Sequence, residues 1–185
     1  TVSIPDSVTR IGVGAFRDCK SLNTVNFGGS SALNTIDERA FFNCNKLKTI
    51  SIPDSVTNIN GDAFRECFSL KSVNIGINVT SISAGTFSYC ESLINVTIPN
   101  SVESIGEKAF YFCNKLLTVI IGNNVERIDD QAFWYCRNLK NLSLSDSVKS
   151  IGGSAFRECN SLEMLTIPNS VTSIGEEAFR ECSAL

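Results

Sequence analysis

Histidine is absent from this chain of 185 residues, and it has no basic cluster and no long hydrophobic run. Without histidine the chain lacks the usual general base, the usual pH switch near neutrality and the commonest metal ligand. A net charge of -3 without a run of Lys and Arg argues against nucleic acid or anionic membranes as partners. The longest nearly apolar stretch, Leu116 to Ile121, is far shorter than the roughly 20 residues that cross a bilayer. We therefore expect no enzyme, no cofactor, no metal, no nucleic-acid partner and no membrane insertion by this chain.

What the chain does have is an internal repeat, which its cysteines mark. They are separated by 25 residues once and by 23 residues thereafter, with a Phe three residues before each and a Leu three residues after. Further apolar columns lie 11, 8 and 4 residues before and 6 and 8 residues after the cysteine, and only Thr86 departs from them. Such a unit cannot bury its apolar face alone, so stacked units predict a solenoid of about eight coils. We number the coils 1 to 8 by their cysteines: Cys19, Cys44, Cys67, Cys90, Cys113, Cys136, Cys159 and Cys182.

Within a coil the apolar spacing changes period. Val25 and Phe27 alternate with polar neighbours, which is typical of a short strand. Ala15, Phe16 and Cys19 instead follow the spacing of one face of a helix, and the residue seven before each cysteine is Gly, Asp, Asn or Ser, as at a helix start. The sequence thus predicts an α/β solenoid of the leucine-rich-repeat type, with one short strand and one short helical segment in each coil. The two-residue insertion within Gly28 to Ala32 is interpreted as a loop bulging from coil 2.

A polar residue follows each strand where leucine-rich repeats carry Asn or a similar residue, as in Leu70-x-x-Val73-x-Ile75-x-x-Asn78. We expect this column to bond the backbone of the neighbouring coil rather than a ligand. Its members are Ser7, Ser55, Asn78, Ser101, Asn124, Ser147 and Ser170.

Three longer sequence segments resemble those of a known family. IPDSVTNI (52–59), IPNSVESIGEKAF (98–110) and IPNSVTSIGEEAFRECSAL (167–185) resemble the BspA-like leucine-rich repeats of surface proteins from mucosal bacteria and protists, and the resemblance covers the whole chain. It implies a non-catalytic protein-recognition or adhesion module at the cell surface or secreted, with host matrix or cell-surface proteins as partners. The alternative is a passive spacer or stalk that presents another domain. Because neither end shows a polar cap, residues 1–185 are interpreted as one solenoid cut from a longer array, whose open ends permit self-association.

The cysteines allow two interpretations. All share one interior column and none forms a C-x-x-C pair, so zinc is disfavoured and buried Cys acts as a small hydrophobe. Free thiols are favoured, while disulfides between neighbouring coils remain the alternative.

One irregularity suggests a binding site. The two positions before the cysteine carry Arg and an acid in four coils, but Phe42-Asn43, Ser88-Tyr89, Tyr111-Phe112 and Trp134-Tyr135 in the others. In coils 4 and 5, Ile94 and Leu117 also replace the Lys found four residues after other cysteines. Clustered aromatics away from charge resemble the centre of a protein interface, whereas the alternative is a local thickening of the hydrophobic layer. The candidate partner-binding residues are Tyr89, Ile94, Tyr111, Phe112, Leu117, Trp134 and Tyr135.

The outward residues of the strands form a second candidate surface, predicted to line the inner face of the solenoid. These small, uncharged groups either bind a partner through many weak hydrogen bonds or merely suit a soluble strand. Asn95 and Asn141 also begin Asn-x-Thr/Ser triplets, the N-glycosylation pattern in a eukaryotic source. The secondary candidates are Thr49, Asn74, Asn95, Thr97, Thr118, Ile120, Asn141 and Ser143.

Overall fold

Fifteen short parallel strands and no helix make up the regular structure of the chain, and the computed structural model describes all 185 residues. The three-residue strands are β1 (Val2–Ile4), β3 (Val25–Phe27), β5 (Thr49–Ser51), β7 (Ser72–Asn74), β9 (Asn95–Thr97), β11 (Thr118–Ile120) and β13 (Asn141–Ser143). The two-residue strands are β2 (Arg10–Ile11), β4 (Thr35–Ile36), β6 (Asn58–Ile59), β8 (Ser81–Ile82), β10 (Ser104–Ile105), β12 (Arg127–Ile128), β14 (Ser150–Ile151) and β15 (Ser173–Ile174). The chain has no helix long and apolar enough to span a bilayer.

The strands stack coil upon coil into a solenoid. The two-residue strands form one eight-stranded sheet in the order β15-β14-β12-β10-β8-β6-β4-β2. The three-residue strands form a five-stranded sheet, β13-β11-β9-β7-β5, and a separate pair, β1-β3. The insertion after β3 separates these two sheets and leaves a cleft of about 460 Å³ beside Gly28 and Ser31. The predicted solenoid of about eight coils is confirmed, and its two-residue strands are an additional feature that the sequence analysis missed.

The predicted helical segment is wrong. In every coil the residues five and one before the cysteine have positive φ, for example Asp62 at 56° and Glu66 at 61°, and a right-handed helix cannot pass through such residues. In coil 3 the Ala63 N–H donates to the Asn60 carbonyl, a tight turn, while the Phe64 N–H donates to the Thr86 carbonyl of the next coil at 2.9 Å. The segment is therefore a run of turns hydrogen-bonded from coil to coil, which we call the turn ladder.

The predicted apolar columns form the core. Forty-eight buried hydrophobic residues make one continuous cluster, and the Phe column stacks along the whole solenoid. Phe110 lies 5.4 Å from Phe87 and 5.1 Å from Phe133, with ring planes within 17° and 4° of parallel. Thr86, the exception to the columns, is fully buried and its hydroxyl donates to the Ser83 carbonyl at 2.7 Å. Stacking against the coils on both sides thus supplies the burial that no single coil can provide.

The cysteine column consists of free thiols. From coil 2 onward each Sγ–H donates to the carbonyl of the Phe in the preceding coil, as Cys113 does to Phe87 at 3.3 Å. Burial raises the pKa of the Cys44 thiol to about 12, raises the pKa of Cys67 and Cys113 further, and holds the pKa of Cys90 well above its ordinary value. The buried thiols therefore pack as neutral core groups that also hydrogen-bond between coils.

The polar column after the strands bonds the neighbouring coil at several positions. The Ser101 hydroxyl donates to the Val79 carbonyl at 2.7 Å, and the Asn78 amide donates to the Asp54 carbonyl at 2.8 Å. The expected bond is present at three of the seven positions, with the Ser170 hydroxyl donating to the Val148 carbonyl as the third, and the buried Ser55 hydroxyl has no partner. The bonded side chains satisfy backbone carbonyls that the short strands leave unpaired.

Candidate functional site

Five aromatic side chains on the turn ladder of coils 4 to 6 pack into one group, the aromatic cluster: Tyr89, Tyr111, Phe112, Trp134 and Tyr135. Tyr111 is the only ring that contacts all four others, and Phe112 lies 5.2 Å from Tyr89, 4.8 Å from Tyr111 and 4.2 Å from Tyr135. Tyr111 meets Tyr89 and Trp134 edge to face at 5.3 and 5.5 Å. The coil repeat brings these residues together, because equal positions in successive coils are neighbours along the solenoid axis.

The aromatic cluster remains accessible at its surface. All five side chains are half-buried, so the rings lie against the turn ladder and one another while each keeps a solvent-facing part. Desolvation raises the pKa of the Tyr111 hydroxyl, and this phenol stays neutral at physiological pH. The rings thus thicken the hydrophobic layer and also present an uncharged surface, while partner binding by that surface stays a prediction.

Arginines surround the aromatic cluster. The guanidinium of Arg65 lies 5.6 Å from the Tyr89 ring centre, that of Arg137 lies 4.7 Å from Tyr135, and that of Arg157 lies 5.0 Å from Trp134. These distances are typical of cation–π contacts. The sequence analysis did not include these arginines among the candidates, although Arg65 and Arg157 share a column with Tyr111 and Trp134; Arg137, directly after Cys136, lies outside that column.

An ion pair fixes one of these arginines. Arg137 donates to the Glu158 carboxylate at 2.9 Å, and Glu158 is almost completely buried. Burial alone would raise the pKa of Glu158, but hydrogen bonding to Arg137 and other neighbouring donors outweighs it, and the pKa is lowered on balance. Arg137 is thereby held over Tyr135 at the border of the aromatic cluster.

Ile94 and Leu117 do not join the aromatic cluster. They stand beyond the cysteine, directly before β9 and β11, and neither takes part in the ring contacts. Their exposures of 41% and 38% are high for large hydrophobic residues, and the Leu117 N–H donates to the Ile94 carbonyl at 2.7 Å. They form a separate apolar pair between Lys71 and Lys140.

The predicted strand-face residues do lie on one surface. Thr49, Asn74, Asn95, Thr97, Ile120, Asn141 and Ser143 are exposed and Thr118 is half-buried. Several bond to the next coil, as the Asn74 amide does to the Ser51 hydroxyl at 3.2 Å. Ile120, 52% exposed, interrupts this polar surface. Some of the polar side chains on this face thus hydrogen-bond to one another.

A notch lies beside the aromatic cluster, in the turn ladder of coil 4. The open space of about 530 Å³ is lined by Asp62 and Arg65 on one side, Gly85 and Ser88 in the middle, and the rings of Tyr111 and Trp134 on the other side. The sequence analysis did not propose Ser88 as a site residue. The available signal was that Ser88 is the only small residue in a column of arginines and aromatics.

No three cysteine or carboxylate side chains come together as a metal site would require. The solenoid, the polar column after its strands and its turn ladder define a leucine-rich-repeat protein. The chain belongs to the family with the BspA-type leucine-rich repeat region, whose model matches residues 1–116 and 57–185 with six copies. Such solenoids are generally non-catalytic scaffolds that mediate protein interactions, and the family indicates no enzyme.

Solved structures share this fold. The leucine-rich repeat protein TpLRR of T. pallidum is 32% identical with a TM-score of 0.79, and the match covers 86% of this chain and 76% of TpLRR. A leucine-rich cell surface protein from Faecalibacterium prausnitzii is also 32% identical with a TM-score of 0.64, and the match covers 100% of this chain but 57% of the F. prausnitzii chain. The pneumococcal vaccine antigen PcpA, at 21% identity and a TM-score of 0.58 over 99% of this chain and 60% of PcpA, shares the fold. No curated protein matches the chain.

Proposed function

We propose that this chain is a non-catalytic protein-recognition module at the cell surface and that the aromatic cluster is the centre of its partner-binding surface. The observation that carries the proposal is an uncharged surface of five touching, partly exposed rings spread over three coils. In all other coils except coil 2, the same two positions carry Arg and an acid. The cell-surface description of the F. prausnitzii protein supports the location.

The composition of the surface favours a protein partner. Tyr, Trp and Arg are the residues most enriched at binding hot spots, and a hot spot needs a desolvated centre with a polar border. The rings supply the centre and Arg65, Arg137 and Arg157 supply the border. Ile94 and Leu117 would extend the contact toward the strand face, whose outward side chains form the secondary candidate surface.

The experiment replaces two rings with a residue that the repeat already accepts. Phe112 and Tyr135 have φ of 61° and 64°, and coil 2 holds Asn43 at the same position with φ of 58°. Because Asn adopts this backbone region more readily than aromatic residues, the double variant Phe112→Asn, Tyr135→Asn should fold. Asp18→Asn with Glu181→Asn, at the same position in coils 1 and 8, is the matched control.

Binding is measured to immobilised extracellular-matrix proteins and to epithelial cell monolayers. The wild type and the control should bind, and the ring variant should lose at least about tenfold in affinity, as expected for removal of two hot-spot residues. Equal binding by the ring variant would move the site to the strand face. Absence of wild-type binding to every probe would favour the spacer function.

A further inference from the structure

We infer that the notch in coil 4 is a binding site for a neutral saccharide, a site separate from the ring contacts of Phe112 and Tyr135 although it lies on the proposed partner-binding face. Its origin is a change of residue size along the repeat. Coil 4 carries Gly85 and Ser88 where its neighbours carry Asp62 and Arg65 on one side and Lys108 and Tyr111 on the other. The missing side chains open a groove across the turn ladder.

An unused polar group in the notch points to a ligand. Ser88 is only 2% exposed and lines the notch, and its hydroxyl takes part in none of the side-chain hydrogen bonds of the protein, although it is not among the fully buried unpaired atoms. The hydroxyl is therefore free to bond a ligand that enters the notch. The amide of Gln131, on the opposite side of the notch, is also free of hydrogen bonds to the protein.

The charged side chains around the notch already have partners. Asp62 lies 3.4 Å from Arg39 and 3.6 Å from Arg65, and Lys108 lies 2.6 Å from Glu107. A charged ligand would have to compete with these ion pairs, whereas a neutral ligand leaves them intact. The groups left for recognition are a hydroxyl, a carboxamide and the rings of Tyr111 and Trp134.

The backbone of the notch excludes an extended peptide added as a strand. The Asp62 N–H donates to the Ala84 carbonyl, the Gly85 N–H to the Glu107 carbonyl and the Glu66 N–H to the Ser88 carbonyl, each at 2.9 Å. These groups are therefore unavailable for the main-chain pairing that gives such complexes their affinity. A saccharide needs no such pairing, because its hydroxyls bond to side chains and the apolar faces of its rings pack on aromatic rings.

The test uses Trp134, the only tryptophan of the chain, as an internal reporter because it lines the notch. Its fluorescence is followed while neutral oligosaccharides are added, with sialylated and sulfated oligosaccharides and short peptides as comparison probes. We expect saturable changes with one or more neutral oligosaccharides and none with the charged probes or peptides. No response to any neutral oligosaccharide, or a response to charged probes or peptides alone, would overturn the inference.

Three variants locate the site. Ser88→Arg fills the notch with the residue that coils 1, 3, 7 and 8 carry at this position, so it should fold and abolish the response. Ser88→Ala keeps the space but removes the hydroxyl, and it should weaken binding about three- to tenfold. Ser21→Arg adds the same charge at an exposed position of coil 1 and should bind as the wild type does. Unchanged binding by Ser88→Arg would refute the site.

The two proposals can fail independently. Phe112 and Tyr135 do not line the notch, so the Phe112→Asn, Tyr135→Asn variant should keep its saccharide response even if it loses partner binding. Ser88→Arg should lose the saccharide response, and its partner binding is not a criterion because Tyr111 and Trp134 belong both to the notch and to the aromatic cluster. Loss of both responses in the Phe112→Asn, Tyr135→Asn variant, with folding intact by circular dichroism, would show a single site and contradict the separate notch.

Discussion

The phenylalanine stack makes the cost of one substitution depend on its place along the solenoid. Phe110 is fully buried between the rings of Phe87 and Phe133, whereas Phe179 is half-buried and its ring stacks on only one other ring, that of Phe156, at 5.4 Å. Each aromatic pair contributes about 0.5–1.5 kcal/mol beyond burial. Phe110→Leu loses two pairs and leaves a small void, so we expect it to lower the free energy of unfolding by about 2–4 kcal/mol. Phe179→Leu loses one pair at a site that keeps solvent access, and its cost should be about 0.5–1.5 kcal/mol.

Urea unfolding, followed by far-ultraviolet circular dichroism and by Trp134 fluorescence, measures both costs. Phe16→Leu at the opposite end of the stack is the matched control, because Phe16 contacts only Phe41, at 5.1 Å, and is also half-buried. The two terminal variants should agree with each other and differ from Phe110→Leu. Equal costs at all three positions would refute the view that each coil is stabilised chiefly by its immediate neighbours.

Three further predictions concern the thiols, one acidic side chain and two glycines. A thiol reagent such as Ellman's reagent should label exposed Cys19 rapidly, half-buried Cys182 slowly, and the six buried cysteines only after unfolding. Rapid labelling of more than two thiols would contradict burial of the cysteine column. Hydrogen bonding to Arg10 lowers the pKa of buried Asp37 below its ordinary 3.8, so its stabilising contribution is present above pH 4 and is lost as the pH falls through the lowered pKa. The free energy of unfolding, measured as the pH is lowered, should therefore fall less steeply for Asp37→Asn than for the wild type. The same acid dependence in both proteins would count against this pair. Gly122→Ala should destabilise by about 1–3 kcal/mol, because its Cβ would lie 2.3 Å from the Pro99 carbonyl oxygen, whereas Gly29→Ala, with open space around it, should be within about 0.5 kcal/mol of the wild type by thermal unfolding.

The sequence was sufficient for the repeat and for the core, because burial follows the apolar columns through the middle coils, and only members toward the two ends, such as Ala15, Ile174 and Leu185, are exposed. It misled at the turns, where Ala15, Phe16 and Cys19 have helical spacing but successive tight turns bring the same positions inward. The hydrogen bonds that decide between the two structures, such as that from Phe64 to Thr86, join different coils and leave no local pattern. The two-residue strands were missed for the same reason, since Ser81–Ile82 is too short to show a period and pairs only with its neighbours.

For the candidate site, the cysteine-based alignment of coils placed the five rings side by side correctly because equal positions stack. It could not show that Ile94 and Leu117 lie apart from those rings, since the cysteine and the corner of the coil separate them. Ser88 escaped notice because a serine on a surface is unremarkable until its neighbours in space, Arg65 and Tyr111, are seen to leave a gap beside it.

The coil-to-coil hydrogen bonds of the turn ladder and of both sheets all run along the axis of the solenoid. A force that pulls the two ends apart therefore loads these bonds a few at a time, as in a zipper, and detaches one coil before it reaches the next. Each coil contributes about 4.8 Å to the folded length, yet a released 23-residue coil extends to about 75 Å. Under tension, such a molecule would lengthen in steps and dissipate the load, while the coils that remain folded keep their structure.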